Sequence, residues 1–564
     1  MPKSGLRPTS SLLILLVAFL TVCPVIMLVL GSVSSGLGSL GGLTAQKYLR
    51  AYSDPAFGEI LLNTIAFTGG SAFLCTALAL FLSYLNTRTN IPFKGVFRVF
   101  SIVPMMIPHI LFCASWVLLL NPSNGLINLC LKELFGLRAS PFNIYTLEGM
   151  ILVEALLDLP IAYLIMAPAM SGFDASLEES SRVCGASQVG TLLRITLPVL
   201  RPAILASFIL VVVRSLASFA VPSVIGMPGR IYVLASHIYR IISTGFAPDY
   251  GKAAAVGVSA LVASVVLILV YRRLTSATER YVTVSGKGYR PSLVDLKGAR
   301  WPLFSVVGSF CLLLVALPVG VLLYVSVLPY SVVPGAKALS LVSLKNWEQI
   351  WRDPLCWLSV KNSLILGVGG ASLGVVVSLF VSHAIVRGRS AASTILESLS
   401  FLSFSFPGIV IGVGFMWFFV HTPLYATLWA LLVAYIATYL PYGLRPLTSA
   451  LVQIHPHLEE SSRVCGAGPL YTLRRILVPL MAPALVSGWI LMATMFLREL
   501  TVSVVLSRPG TEVLSVQILR FAEDGLWGKL SALGMVMIFI STILVLMASK
   551  VGGRFSNVGQ TLGS

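Results

Sequence analysis

Residues 177–204 read LEESSRVCGASQVGTLLRITLPVLRPAI, and 281 positions later residues 458–485 read LEESSRVCGAGPLYTLRRILVPLMAPAL. The ten opening residues are identical, and Arg194/Arg475, Ile195/Ile476, Pro198/Pro479 and Pro202/Pro483 stay in register. Such self-similarity marks an internal repeat, so the chain is two copies of one unit. The likeness extends outward: Asn63-Thr64 matches Asn362-Ser363, Pro108 matches Pro407, and Pro160 matches Pro441. The register passes from 299 to 281 between the last two pairs, so the first copy holds 18 extra residues, expected around NPSNGLINLCLKELFGL at 121–137. Downstream, PGRIYVLASHIYR at 228–240 echoes PGTEVLSVQILR at 509–520.

The 564 residues are 57% apolar and only 11% charged, where an average soluble domain carries roughly 25% charged side chains. The apolar residues come in runs of about twenty, enough to cross a hydrocarbon core of about 30 Å as helix. An ordinary soluble enzyme is excluded, and the chain reads as an all-α polytopic membrane protein. Twelve spans are expected, near 11–33, 59–85, 97–120, 147–170, 202–224, 253–271, 303–326, 358–382, 398–420, 426–447, 483–506 and 530–549. The first follows Lys3 and Arg7 in the manner of a signal peptide, but it exceeds the roughly 7–15 apolar residues of one and is expected to be a retained helix. The eight cysteines are scattered, without a disulfide framework or CxxC metal spacing, and read as small buried hydrophobes.

Twelve spans put both termini on one side. The segments of that side carry 23 of the 39 Lys and Arg, against 14 opposite, while Arg214 and Arg498 fall inside spans. The positive-inside rule therefore makes both termini cytoplasmic. The formal charge of +18 becomes a topology signal, and nucleic acid is not expected as a partner. Residues 272–302 hold seven Lys and Arg against Glu279 and Asp295, a basic cytoplasmic stretch suited to anionic lipid. The expected division is a first six-helix half at 1–275, a linker at 276–302 and a second half at 303–564. Six spans separate the repeated segments, so the repeats are parallel and both loops face the cytoplasm.

Within the loop, Ser176 and Glu179 have capping-box spacing, which predicts a helix from about Leu177. Glu178 with Arg182, and Glu459 with Arg463, are spaced as favourable helix-face pairs. Gly185 and Gly466 interrupt the helix and permit a turn or the close approach of another chain. A helix lying on lipid headgroups is the plainer alternative, but it gives no reason for the same ten residues twice. Two identical knobs suit two docking sites on a symmetric dimeric partner.

The segment resembles the EAA motif of ATP-binding-cassette (ABC) importer permeases: E-A-A, three residues, G, nine residues, I-x-L-P. Here it stands as Glu179-Ser180-Ser181, Gly185 and Ile195-Thr196-Leu197-Pro198, then as Glu460-Ser461-Ser462, Gly466 and Ile476-Leu477-Val478-Pro479. Serines replace both alanines, and Val478 replaces the leucine of the second copy. The resemblance implies a type I importer permease fold in fused two-half form. It also implies that each loop, through Glu178, Glu179, Arg182, Gly185 and Pro198 or Glu459, Glu460, Arg463, Gly466 and Pro479, couples to one of two ABC ATPase subunits, with a solute-binding protein on the other side of the cell membrane. Ser218-Phe219-Ala220-Val221-Pro222, Ile238-Tyr239, Glu499-Leu500 and Ser507-Arg508-Pro509-Gly510 resemble fused ferric-iron permeases, whose relatives move thiamine, polyamines or 2-aminoethylphosphonate. The three GK pairs, at Gly251-Lys252, Gly286-Lys287 and Gly528-Lys529, complete no Walker A loop. The chain is therefore expected not to be an enzyme, to bind no cofactor, and to leave ATP and Mg to the partner.

Ionisable groups inside spans cost about 3 kcal/mol or more and face a cavity or one another. Glu154 and Asp158 lie one helical turn apart; they could attract a ferric ion or polyamine, or pair with a neighbouring basic side chain. Arg214 and Arg498-Glu499 occupy corresponding stretches, three residues out of register, and could form a cross-half cluster or satisfy helix-end carbonyls. The six histidines are too dispersed for a metal site, and Tyr239, Tyr250 and Tyr330 receive no role. An ion-coupled secondary transporter relaying through Glu154 and Asp158 is the rival reading, and the doubled docking motif argues against it. A membrane-embedded enzyme would need a convergent nucleophile or metal set, and none is evident.

Overall fold

The computed structural model describes residues 8–36, 39–101, 103–172, 175–243, 248–276, 293–388, 391–403 and 406–561. Most of the expected linker at 276–302 lies outside the described residues. Eight helices among those described are long and apolar enough to cross a membrane: Ser11–Val33, Phe57–Arg88, Leu147–Gly172, Gln188–Ala217, Tyr250–Leu274, Lys297–Ser326, Pro354–Gly388 and Trp527–Ala548. The pair Pro469–Leu480 and Ala482–Leu497, bent by 79°, is long and apolar enough for a ninth if taken as one broken span. Leu428–Gln453 fills the expected tenth span with 26 helical residues carrying Pro441, Arg445 and Pro446.

The third span of each half departs from the sequence expectation. In place of one helix over 97–120 stand Lys94–Phe100, a 3-10 turn at Val103–Met106 and His109–Leu120. In place of 398–420 stand Ala391–Leu402 and Gly408–Phe419. The cause is proline. Pro108 and Pro407 are extended (ψ 133° and 136°) and start the second piece of each span, because proline has no N–H to continue the helix before it. Their carbonyls instead accept from Leu111 and Val410, both at 3.0 Å.

The extra residues of the first half sit where the register shift puts them. Twenty-six residues separate Leu120 from Leu147, against eight between Phe419 and Leu428, a difference of 18. They build the helix Leu126–Phe135. The Asn63-Thr64 and Asn362-Ser363 match also acquires a cause. The Thr64 hydroxyl accepts from Leu234 N at 3.0 Å, and that of Ser363 from Leu514 N at 2.8 Å. Each hydroxyl thus holds the first turn of a short helix, Leu234–Ser243 or Leu514–Glu523, at the span ends far from the repeated loops.

The halves interlock through their first helices. Phe19 of the first span meets Phe418 of the second half edge-on at 5.3 Å. Gly414 lies so close to Pro24 that an added Cβ would stand 2.0 Å from its carbonyl oxygen. Reciprocally, Phe304 of the second half packs on Phe93 and Phe97 at 5.6 and 5.5 Å. Aromatic and small residues supply this contact because lipid gives no hydrophobic drive for helix pairing inside the bilayer.

Candidate functional site

Each repeated loop is a short helix, a left-handed turn and the start of the fifth span. The helices are Ala175–Val183 and His457–Val464. The first starts two residues before the expected Leu177, so Ser176 lies inside it and not ahead of it as a cap. Gly185 (φ 85°) and Gly466 (φ 81°) then turn the chain. Gly185 N donates to Arg182 O at 2.9 Å and Ala186 N to Ser181 O at 3.1 Å, and Gly466 and Ala467 repeat both bonds at the same lengths. This is the Schellman ending, in which a glycine tolerates the left-handed residue. The fold uses both glycines for the turn, and nothing in the chain lies within 4 Å of an added Cβ at either.

The second motif serine closes each loop. Ser181 Oγ lies 3.0 Å from Thr191 Oγ1, and Ser462 Oγ 2.9 Å from Thr472 Oγ1. The chain then enters the fifth span through a wide π-type turn, with Leu197 N donating to Leu192 O and Val478 N to Leu473 O. Such turns often mark functional sites. Pro198 and Pro479 follow directly, in the first turns of the next helical segments.

The two glutamates of each motif part company. Glu179 and Glu460 are exposed, while Glu178 and Glu459 are buried, at 5% and 4% exposure. Glu178 accepts from the Thr196 hydroxyl at 2.7 Å and lies 3.9 Å from Arg88 Nη1. Glu459 accepts from Arg387 Nε at 2.7 Å, lies 3.2 Å from His383 Nε2 and 3.9 Å from Arg463. Burial works to raise the Glu459 carboxyl, but the bonds from Arg387 and His383 prevail and hold it below the ordinary range. The expected Glu178–Arg182 side-chain pair is turned aside: Arg182 Nε faces the Glu178 carbonyl at 3.4 Å, and the carboxylate points to the second span.

The sequence alone does not single out Arg88 and Arg387. They close the second span of each half and stand 299 residues apart, the register of Asn63/Asn362 and Pro108/Pro407. That register was the signal that would have found them. Beside the first loop the described end of the linker is also seated: Val294 N donates to Arg88 O at 2.8 Å and Asn90 N to Val294 O at 3.2 Å.

A cavity of about 860 Å³ runs between the halves. All five in-span candidates line it, namely Glu154, Asp158, Arg214, Arg498 and Glu499, from the fourth, fifth and eleventh expected spans. Its deep end lies where the fifth spans finish, and it extends past Tyr442 and Arg445 to Thr448 and Ser449, on the side of the repeated loops. Asp158 pairs with Arg214 Nε at 2.8 Å, and Glu154 accepts from Ser218 at 2.8 Å. Glu499 accepts from the Tyr439 hydroxyl and from Val502 N at 2.6 Å. Arg498 reaches across the halves to the Met105 carbonyl at 2.7 Å. The carboxylate of the fourth span thus pairs with a basic neighbour of its own half, and Arg498 satisfies a carbonyl at the broken third span. Among the described residues no three His, Cys, Asp or Glu side chains group to hold a metal.

Past the deep end the halves join at the face opposite the loops. Tyr239 donates to Glu523 at 3.1 Å, and Arg508 Nη2 to the Tyr250 hydroxyl at 3.0 Å. Tyr239 and Tyr250, to which the sequence gives no role, are cross-half contacts.

Residues 75–280 and 370–556 match the family of binding-protein-dependent transport system inner membrane components, and the chain belongs to that family. It is 28% identical over 550 residues to the ferric transport system permease protein FbpB of Actinobacillus pleuropneumoniae, covering 96% of this chain and 77% of that one. It is 24% identical to the Fe(3+)-transport system permease protein FbpB 2 of Haemophilus influenzae, over 96% and 97% of the two chains. The spermidine/putrescine transport system permease protein PotC of the same species is 27% identical over 207 residues, 36% of this chain and 80% of that one.

Proposed function

We propose that the chain is the translocation subunit of an ABC importer for ferric iron, lying in the cell membrane with both termini cytoplasmic. A separate ATPase dimer supplies ATP hydrolysis, and an external solute-binding protein delivers the cargo. The observation that carries this reading is the pairing of two loops that share the same glycine turn and serine–threonine contact with a cavity that both halves line and that extends toward the loops. Two equal knobs fit the two equal grooves of a symmetric dimer. Exposed Val183 and Val464, each 88% accessible at the tip of its loop, give each knob an apolar contact. ATP and Mg belong to the partner, whose closure would press the knobs together and rock the halves about the cavity.

Iron is favoured by likeness to ferric permeases over nearly the whole chain. Transport of a polyamine is the second reading, favoured by carboxylates in the cavity and by the partial likeness to PotC. The test is to purify the permease with its ATPase and add binding proteins loaded with ferric ion, spermidine or thiamine. Ferric-loaded protein is expected to stimulate ATP hydrolysis. Stimulation by a polyamine-loaded protein alone would replace iron and leave the permease role standing.

A further inference from the structure

The cavity wall is built for a cargo with two electrical poles. Asp158 gives one oxygen to Arg214, while its Oδ2 is buried without a hydrogen-bond partner. Glu154 likewise takes the Ser218 bond on one of its two oxygens. Arg214 spends only Nε on Asp158, and 30% of its side chain stays open to the cavity. Arg498 divides its terminal nitrogens between a carbonyl at 2.7 Å and the Met495 sulfur at 3.0 Å, and thioether sulfur is a weak acceptor. Donors and acceptors with capacity to spare therefore line one wall.

We infer that iron crosses this cavity as an oxyanion-ligated complex and not as a bare ion, with Glu154 and Asp158 facing the metal pole and Arg214 and Arg498 the anion. The inference rests on the ferric reading above. Three carboxylates, Glu154, Asp158 and Glu499, stand against two guanidiniums at the deep end, a formal balance of −1, and Glu397, Arg272 and Arg445 farther along bring the whole lining to zero. A bare trivalent ion in a partly desolvated site needs far more compensation than that, and two guanidiniums repel it. No grouping of His, Cys, Asp or Glu among the described residues replaces its coordination shell. A free anion fares no better, because it would face the carboxylates. A doubly charged oxyanion on iron brings the cargo near +1, which the wall balances, and guanidinium is the side chain best shaped to grip phosphate or carboxylate oxygens. Hydrogen phosphate carries that charge, and citrate, with one negative charge more, offers oxygens of the same chemistry and leaves the cargo neutral.

The experiment uses proteoliposomes holding the permease with its ATPase, ATP inside, and iron-loaded binding protein outside. Radiolabelled iron is supplied in one arm with labelled phosphate and in another with labelled citrate, and both labels are counted in the lumen. Label is expected to enter with iron at about one anion per iron in at least one arm, and the arm identifies which oxyanion travels. Arg498→Gln should lower entry of both labels together by about tenfold, with part recovered in Arg498→Lys. Iron entering without anion in both arms overturns the inference while the ferric reading stands. Full entry of both labels in Arg498→Gln overturns the assignment of the anion contact. Failure of iron to enter in either arm overturns the ferric reading and this inference with it.

Discussion

The two repeated loops share the glycine turn and the serine–threonine contact and differ in what fastens them to the spans. In the first, Glu178 takes a hydroxyl from its own loop at 2.7 Å, Arg88 stands off at 3.9 Å, and Tyr84 occupies the position equivalent to His383. In the second, Thr196 is replaced by Leu477, and the buried carboxylate depends on Arg387 and His383 of the second span. The first loop also has the end of the linker beside it, through Val294. On the proposed docking reading, what a symmetric partner recognises is the knob, and its turn is preserved. What each half can do independently is the attachment, and that has diverged. The first loop is held mainly to itself; the second is held to the helix that would move.

The largest expected effect breaks this comparison if it is wrong. Arg387→Met removes the shortest contact to a nearly buried carboxylate, and stripping one partner from such a pair costs about 3 kcal/mol. Arg88→Met leaves the Thr196 hydroxyl in place and should cost about 1 kcal/mol, the worth of a partly compensated hydrogen-bonded contact. The readout is the fraction of ATP hydrolysis that depends on loaded binding protein, measured in the assembled transporter. Arg387→Met should lose most of it and Arg88→Met a minor part. Equal losses would mean that the two loops are anchored alike.

A smaller effect sharpens what the loops share. Gly185→Ala and Gly466→Ala each force an L side chain into φ above 80° at a cost of about 1 kcal/mol. No neighbouring atom stands near the new Cβ at either place, so the cost is backbone conformation alone and should be equal. Single variants compared by thermal midpoint in detergent should fall together, and the double variant should fall by the sum. An unequal pair would show that one turn is strained by its surroundings.

How far this was legible from sequence depends on whether the cause was local. The loops, the glycine turn and the 18-residue insertion were readable because repetition gives two copies of a local pattern to compare. In-span charges stood out against apolar neighbours, which is how Glu154, Asp158, Arg214, Arg498 and Glu499 were found. Their partners were not readable, since a serine, a tyrosine and the carbonyl of Met105 are ordinary in a span and lie far away in sequence. The broken third spans carry a local signal in Pro108 and Pro407, but the apolar runs around them are long enough to read as single helices, and the break shows only in the structure. Arg88 and Arg387 ended spans like any snorkelling arginine, and only the buried glutamates 90 and 72 residues further on give them a purpose.

The smallest effect concerns acid. In the second loop burial opposes ionisation of Glu459, and Arg387 and His383 more than offset it, so the folded carboxyl titrates below its ordinary 4.5. A depressed carboxyl contributes its stability fully above the unfolded value and loses it as pH falls through the folded one. The second attachment is therefore intact from neutral pH to about 4.5 and weakens below that. Cys184 and Cys465 are exposed at equivalent points of the two loops, so a spin label on either reports how firmly its loop is held. The label on Cys465 should gain mobility only below about pH 4.5, and Glu459→Gln should abolish that response because the group that titrates is gone. A response that survives Glu459→Gln would assign the acid sensitivity to another group. It would leave the contrast between the loops resting on Arg387 alone.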